Sequence, residues 1–348
     1  MTKGKYPMSV SEKANERKKR RSYRERKTHL PAIDFFKYFL SHYGILLVLV
    51  PLFVGFSVLE PRFIRPTNLL NILRWASVLG LTATGLTLII IVGEFDISFM
   101  YIATIAAILS VVFIMHGASL WLSWVLSVGF AVAISAANGF LIAYVGIPAF
   151  IVTLGTLMSL TGLSRALTGG IEIYSQKFPP GFTSIGRYMV AGIIPSPVII
   201  SVIVCFLMVI LIDYTAWGRH CYAVGLNKQA AKYMAINVRR TKLVAYIIGG
   251  LLFGASGIIM SSMFASAGSL MGQGYFLPTM IVSFLGATFL AKGIPNPRGS
   301  IVGVIILAVL ANGFIMTNVP FWAKSIIQGT ILIVTITLVV NTKKKVWK

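Results

Sequence analysis

The sequence predicts an all-α polytopic membrane protein, and three observations carry that expectation. Of its 348 residues, 57% are hydrophobic and 11% charged, and mean hydropathy is +0.84, more apolar surface than a water-soluble domain of this size can cover. The apolar residues gather in runs of about 20, the helix length that crosses a hydrocarbon core roughly 30 Å thick. The formal charge of +22 is carried by the polar stretches between the runs, the pattern that orients a membrane protein.

About ten such runs occur, near 41–59, 76–93, 97–115, 120–145, 148–168, 196–212, 243–266, 275–291, 299–317 and 321–340. Residues 1–37 read as a disordered, basic cytoplasmic tail, 38–341 as the transmembrane domain and 342–348 as a second basic tail. The polar start leads into the first run without a small-residue cleavage site, so that run reads as an uncleaved anchor. An even number of crossings puts both termini on one side. On that side fall 24 of the 31 Lys and Arg residues, including six in the 213–242 loop, and the positive-inside bias makes it the cytoplasm. The run Arg17-Lys18-Lys19-Arg20-Arg21 reads as a contact with anionic lipid of the bilayer; with no aromatic residue beyond Tyr23 beside it, nucleic acid is not expected as a partner.

An internal repeat is expected from Asn138-Gly139-Phe140, Val145, Pro148 and Gly155-Thr156-Leu157, which recur as Asn312-Gly313-Phe314, Val319, Pro320 and Gly329-Thr330-Ile331. Their separation of 174 is half the chain and five spans, an odd number, so the copies face opposite ways: a 5+5 inverted repeat, as in many transporters.

Interruptions of apolar runs are the places to look for a pathway. Glu94, Asp96 and Ser98 place two carboxylates between long apolar stretches, where an unpaired charge is costly. They read either as a discontinuous helix whose next segment is capped by Asp96 or Ser98, or as a cytoplasmic turn with Asp96 as an ordinary N-cap. Gly272, Gln273 and Gly274, with Gly268, make the partner interruption or a plain external turn. Asn138, Thr153, Thr156, Ser283, Asn312 and Gln328 can bond a polar solute or a neighbouring helix. In the 213–242 loop, Asn227 caps an expected helix from Lys228 to Val238. Its Ala231, Met234, Ala235 and Val238 repeat at i, i+3, i+4 and i+7, with Ala230, Ile236 and Asn237 in the same stretch, a face for a soluble partner or for the lipid surface. On the outer side Arg62, Arg65, Arg74, Lys177 and Arg187 run against the charge bias and can steer an acidic partner or anchor at headgroups.

Absences narrow the function. The sole Gly-Lys pair, Gly4-Lys5, precedes Tyr6, so no phosphate-binding P-loop exists and ATP with Mg is expected on a separate chain, with no cofactor in this one. Glu60, Glu94, Asp96, Glu172 and Asp213 all fall near span ends, which disfavours the alternative of an ion-coupled secondary transporter. Cys205 and Cys221 form no framework, the four histidines show no metal spacing, and no Gly-x-Ser-x-Gly elbow is present, so an enzyme is not expected.

Three stretches resemble a known family: Gly93-Glu94-Phe95-Asp96-Ile97-Ser98, Gly218 through Asn227 with Ala230-Ala231 and Ile236-Asn237-Val238, and Lys292 through Ser300. The family is the membrane permease subunits of bacterial ATP-binding-cassette importers for monosaccharides, the ribose, xylose and arabinose class with autoinducer-2 relatives. The resemblance spans about residues 40–340. It implies a second permease subunit (homodimer or heterodimer), two ATP-binding subunits and an extracytoplasmic solute-binding protein. It also implies that Asn227–Val238 is the coupling helix. Departures stand at Glu94 and Met100, where the pattern has Gly, at Lys228, where it has an acid, and at Ala235, where it has Gly.

Overall fold

The computed structural model describes residues 49–174, 178–179, 181–289 and 293–346; the N-terminal tail, Lys177 and Lys292 lie outside these. The expected all-α character holds. In chain order the long helices are α1 (Leu49–Leu59), α2 (Pro66–Ile91), α3 (Phe99–Met115), α4 (Leu120–Phe140), closed by a π turn over Leu141–Val145, and α5 (Ala149–Thr168). The short α6 (Ser184–Arg187) precedes α7 (Ser196–Tyr214). Then come α8 (Ala216–Leu226), α9 (Lys228–Tyr233) and α10 (Val238–Phe264). The last three are α11 (Gln273–Phe289), α12 (Pro297–Met316) and α13 (Phe321–Val346). Six of them are long and apolar enough to cross a membrane: α2, α4 with its π turn, α5, α7, α10 and α12. Together with the shorter apolar helices they make a polytopic membrane protein.

Local chemistry sets the boundaries. Prolines open α2, α7 and α12, where a missing N–H costs nothing, and left-handed Gly93, Gly146 and Gly169 follow α2, the π turn and α5. Asn296 caps α12, its Oδ1 accepting from Gly299 N at 2.7 Å. α2 begins ten residues before the expected 76. Arg74 does not break the run, because its guanidinium reaches Asn71 Oδ1 (3.2 Å) and Met189 Sδ (3.4 Å) at the helix's outer turns.

The packing exchanges the two halves. α10 lies on α4 and α3, and α2 lies on α12 and α11; α3 in turn packs on α5, and α11 on α13. α2, α10 and α12 are mostly buried, whereas α4, α5 and α7 turn most of their apolar surface outward. Polar glue joins the buried helices: Thr82 with Thr279 (3.0 Å), Thr87 with Ser300 (2.8 Å) and Ser110 with Ser261 (2.9 Å), all hydroxyl to hydroxyl. Two antiparallel two-residue ladders tie loops together, β1 (Ile173–Tyr174) with β4 (Ser266–Ala267), and β2 (Met189–Val190) with β3 (Ile194–Pro195).

Close backbone approach at small residues sets the crossings. A Cβ on Gly257 of α10 would drive into the Ala103 carbonyl of α3, while Gly155 of α5 faces open space. Gly257→Ala is therefore expected to destabilise the detergent-solubilised protein by about 1–3 kcal/mol. Gly155→Ala should leave the thermal unfolding midpoint unchanged or raise it, by up to about 1 kcal/mol of helix propensity.

Candidate functional site: a cavity between two helix breaks

α2 ends in a Schellman turn, with Gly93 N donating to Ile90 O (3.0 Å) and Glu94 N to Ile89 O (3.1 Å). The chain then runs extended along one face of α10. Glu94 pairs with Lys242, Tyr246 Oη donates to Phe95 O (3.3 Å), and the rings of Phe99 and Phe253 lie 5.9 Å apart. Residues 242 to 253 span about 17 Å of helix, so α3 starts well inside the bundle instead of at its edge. The geometry supports the discontinuous-helix reading, with a plain turn only at the Gly93-Glu94 end.

Buried Asp96 holds the new start. Its Oδ1 accepts from Ser98 N (2.7 Å) and Ser98 Oγ (2.6 Å); Ser98 Oγ accepts from Asn138 Nδ2 (3.1 Å), and Asn138 Oδ1 from Thr156 Oγ1 (2.6 Å). One polar chain thus links the break to α4 and α5.

The second interruption behaves alike from the opposite end. After left-handed Ala265 and strand β4, the chain turns inward, and α11 starts at Gln273 beside α3: Gly272 has no room for a Cβ against Met100 and Thr104. Phe276 stacks on Phe99 with centroids 5.4 Å apart. From there α11 follows α2, with Tyr275 stacked on Trp75 at 5.1 Å and Ser283 Oγ donating to Ala83 O at 3.2 Å. Each short helix lies along the long helix of the other half, and the two breaks meet.

Where they meet, a cavity of about 750 Å³ opens between the first turns of α3 and α11, α5 and the outer turns of α13. Gly272, Gln273 and Gly274 line it. Asp96, Ser98 and Asn138 do not; they sit behind it and fix α3. Asn312 does not line it either; it exchanges two hydrogen bonds with Asn68 (2.9 and 3.0 Å) in a helix-to-helix contact. Ser283 likewise serves packing. Two residues on α13 complete the lining. Lys324 carries the cavity's one charge among the lining residues, and Gln328, 5% exposed, has an Nε2 with no partner among the described residues. Lys324 was the missed residue, and its signal was a lone lysine just inside the last apolar run. Both short helices begin beside this space, and Lys324 is the charge in its lining.

The 213–242 loop differs from expectation. Asn227 does cap a helix, its Oδ1 accepting from Gln229 N and Ala230 N at 3.0 Å each, but that helix stops at Tyr233 and does not reach Val238. Ala235 is left-handed (φ 59°), Ile236 N returns to Ala231 O, and Asn237 starts α10 by capping Arg240 N at 3.0 Å. A second strong N-cap within the stretch ends the first helix. The expected apolar face is accordingly broken. Ala231 is buried, whereas Tyr233 (89% exposed) and Met234 (72%) stand outward. Gly225, at the end of α8, presses against the Ile91 carbonyl and Gly93. Lys228 Nζ reaches Glu94 Oε1 at 3.3 Å, so the two departures from the family pattern are partners. Burial pushes the Cys221 thiol up to about 12, which removes thiolate chemistry there.

Of the outer cations, Arg62 forms a two-pronged bond to Glu60 (2.7 and 3.0 Å), which holds that carboxyl down to about 2, and Arg187 Nε donates to Met263 O (2.8 Å). Arg65 is exposed and makes no ion pair among the described residues.

The model of the family described as "Branched-chain amino acid transport system / permease component" matches residues 68–336. The ribose import permease protein RbsC of Bacillus subtilis (strain 168) is 32% identical over 295 residues, 85% of this chain and 91% of its own. Its namesake in Escherichia coli (strain K12) is 32% identical over 89% of this chain and 97% of its own. The L-arabinose transport system permease protein AraH of the same strain is 28% identical over 85% and 89%. With the family's match running over most of the chain and the relatives aligned nearly end to end, the protein belongs to this permease-component family of membrane transport proteins.

Proposed function

We propose that the chain is the permease subunit of an ATP-binding-cassette importer that moves a monosaccharide or sugar-like solute into the bacterial cytoplasm across the inner membrane. The observation that carries this reading is the cavity at the meeting of two helix breaks, lined by apolar side chains, neutral polar groups and one lysine, with no carboxylate among the described residues that line it. A proton-coupled carrier usually places an acid in its pathway. The family's description names amino acids, yet the ribose, arabinose and xylose permeases named among the relatives favour sugar.

The assembly we envisage has two permease subunits, two ATP-binding subunits that hold ATP and Mg, and an extracytoplasmic binding protein. Tyr233, Met234 and Lys232 of the 213–242 loop are the outward side chains that an ATP-binding subunit would meet. Arg65 and Arg187, which make no ion pair among the described residues, are cations an acidic binding protein could meet, and Lys177 is a further candidate from the sequence. Ten crossings with cytoplasmic termini, 1–37 and 342–348 as basic tails and 38–341 as the permease domain agree with the charge count. A 5+5 inverted repeat is supported by the exchanged packing of α2 and α10. It is supported again by the two repeated glycines: Gly139 admits Tyr246, and Gly313 admits the Phe56 ring.

Three outcomes are expected. In proteoliposomes holding the complete complex, uptake of ribose, arabinose or xylose should require ATP and persist when proton and sodium gradients are collapsed; uptake without an ATP-binding chain would reject the reading. Lys324→Met and Gln328→Leu should each lower uptake about tenfold, the worth of one charge-assisted hydrogen bond, with solute affinity of the binding protein unchanged. In a cysteine-free background, a membrane-impermeant thiol reagent applied to intact cells should label Arg65→Cys and spare Lys232→Cys.

A further inference from the structure

The helix break and the cytoplasmic loop touch at two places, and the two contacts differ in kind. Gly225 rests on the Ile91 carbonyl and Gly93, a backbone contact that resists approach but not separation. The ion pair of Glu94 with Lys228 resists separation. Lys228 is the first residue of α9 and is half exposed (54%), so the pair adds little to stability. Glu94 also meets Lys242, which is 8% exposed and belongs to α10. Glu94 therefore stands between a loop residue on one side and the body of the protein on the other. Two residues beyond it, Asp96 fixes the start of α3 through Ser98, and Met100 lines the cavity.

We infer that Glu94 is a positioning residue for transport: through Lys228 it lets movement of the α9 loop pull, as well as push, the extended segment that sets α3 at the cavity. The inference rests on the importer reading above. A loop that can only push would drive the cavity one way and leave its return to thermal motion, whereas a link that holds under both signs of displacement ties each ATP cycle to one change of access.

The test uses the full complex in proteoliposomes and reads solute moved per ATP hydrolysed, with thermal stability and recovery of the ATP-binding subunit as controls. Lys228→Met should lower the ratio about fivefold, the lower end of site-to-site coupling, while hydrolysis and subunit recovery hold, and Lys228→Arg should restore it. Glu94→Gln should lower the ratio and also the stability, because buried Lys242 loses its partner. Adding Lys242→Met to Glu94→Gln should return stability but leave the ratio low. If Lys228→Met transports normally and the double variant regains coupling with stability, Glu94 merely neutralises Lys242 and the role is refuted. Loss of the ATP-binding subunit from Lys228→Met would also refute it, by assigning that lysine to the subunit interface. A wild-type complex that moves no solute on ATP would overturn the importer reading itself, which distinguishes the two failures.

Discussion

Backbone amides and carbonyls inside a membrane must find partners within the protein, and this constraint governs how α3 and α11 can begin in the middle of the bundle. Each orphaned group left unpaired in an apolar surround costs several kcal/mol. The two breaks meet the demand differently. At the first, the Asp96 carboxylate accepts from Ser98 N, and the Schellman turn uses the freed carbonyls of α2. At the second, tight turns carry the bonds, with Met271 N on Gly268 O (3.2 Å) and Gln273 N on Leu270 O (3.0 Å). Strand β4 pairs its own groups with β1. Irregular backbone survives here because protein encloses it on one side and a polar cavity takes it on the other.

That difference bears on what the two halves can do. A carboxylate cap joined through Ser98, Asn138 and Thr156 ties α3 to α4 and α5, so the first break moves only if several helices accommodate it. The glycine-rich second break meets α3 through the close approach at Gly272 and the stacking of Phe276 on Phe99. The break joined to this polar chain is also the one connected to the loop.

Helix positions were legible because apolar runs are long and because proline, asparagine and glycine mark their ends; the ends moved where a side chain could satisfy a charge at a distance, as Arg74 does. The site was legible in its glycine half, since Gly272, Gln273 and Gly274 line the cavity. Asn312 misled because its partner, Asn68, is 244 residues away and nothing local distinguishes a packing amide from a solute-binding one. Lys324 escaped notice because a lysine near the end of a span reads as an interfacial anchor. The loop helix was drawn too long because apolar spacing ran on through Asn237, and the spacing says nothing about a competing cap.

Glu94 and Lys228 show the same limit at its sharpest. In the family pattern an acid stands near 228 and a glycine at 94; in this chain the acid is at 94 and a lysine at 228. Taken singly, one substitution buries a carboxylate at a helix break and the other reverses a charge on a contact surface. Together they are a pair, 134 residues apart, that keeps a carboxylate beside buried Lys242. In this chain Lys242 is neutralised by the segment that sets α3. The loop then contributes the exposed partner, the one member of the cluster whose removal leaves no buried charge unpaired.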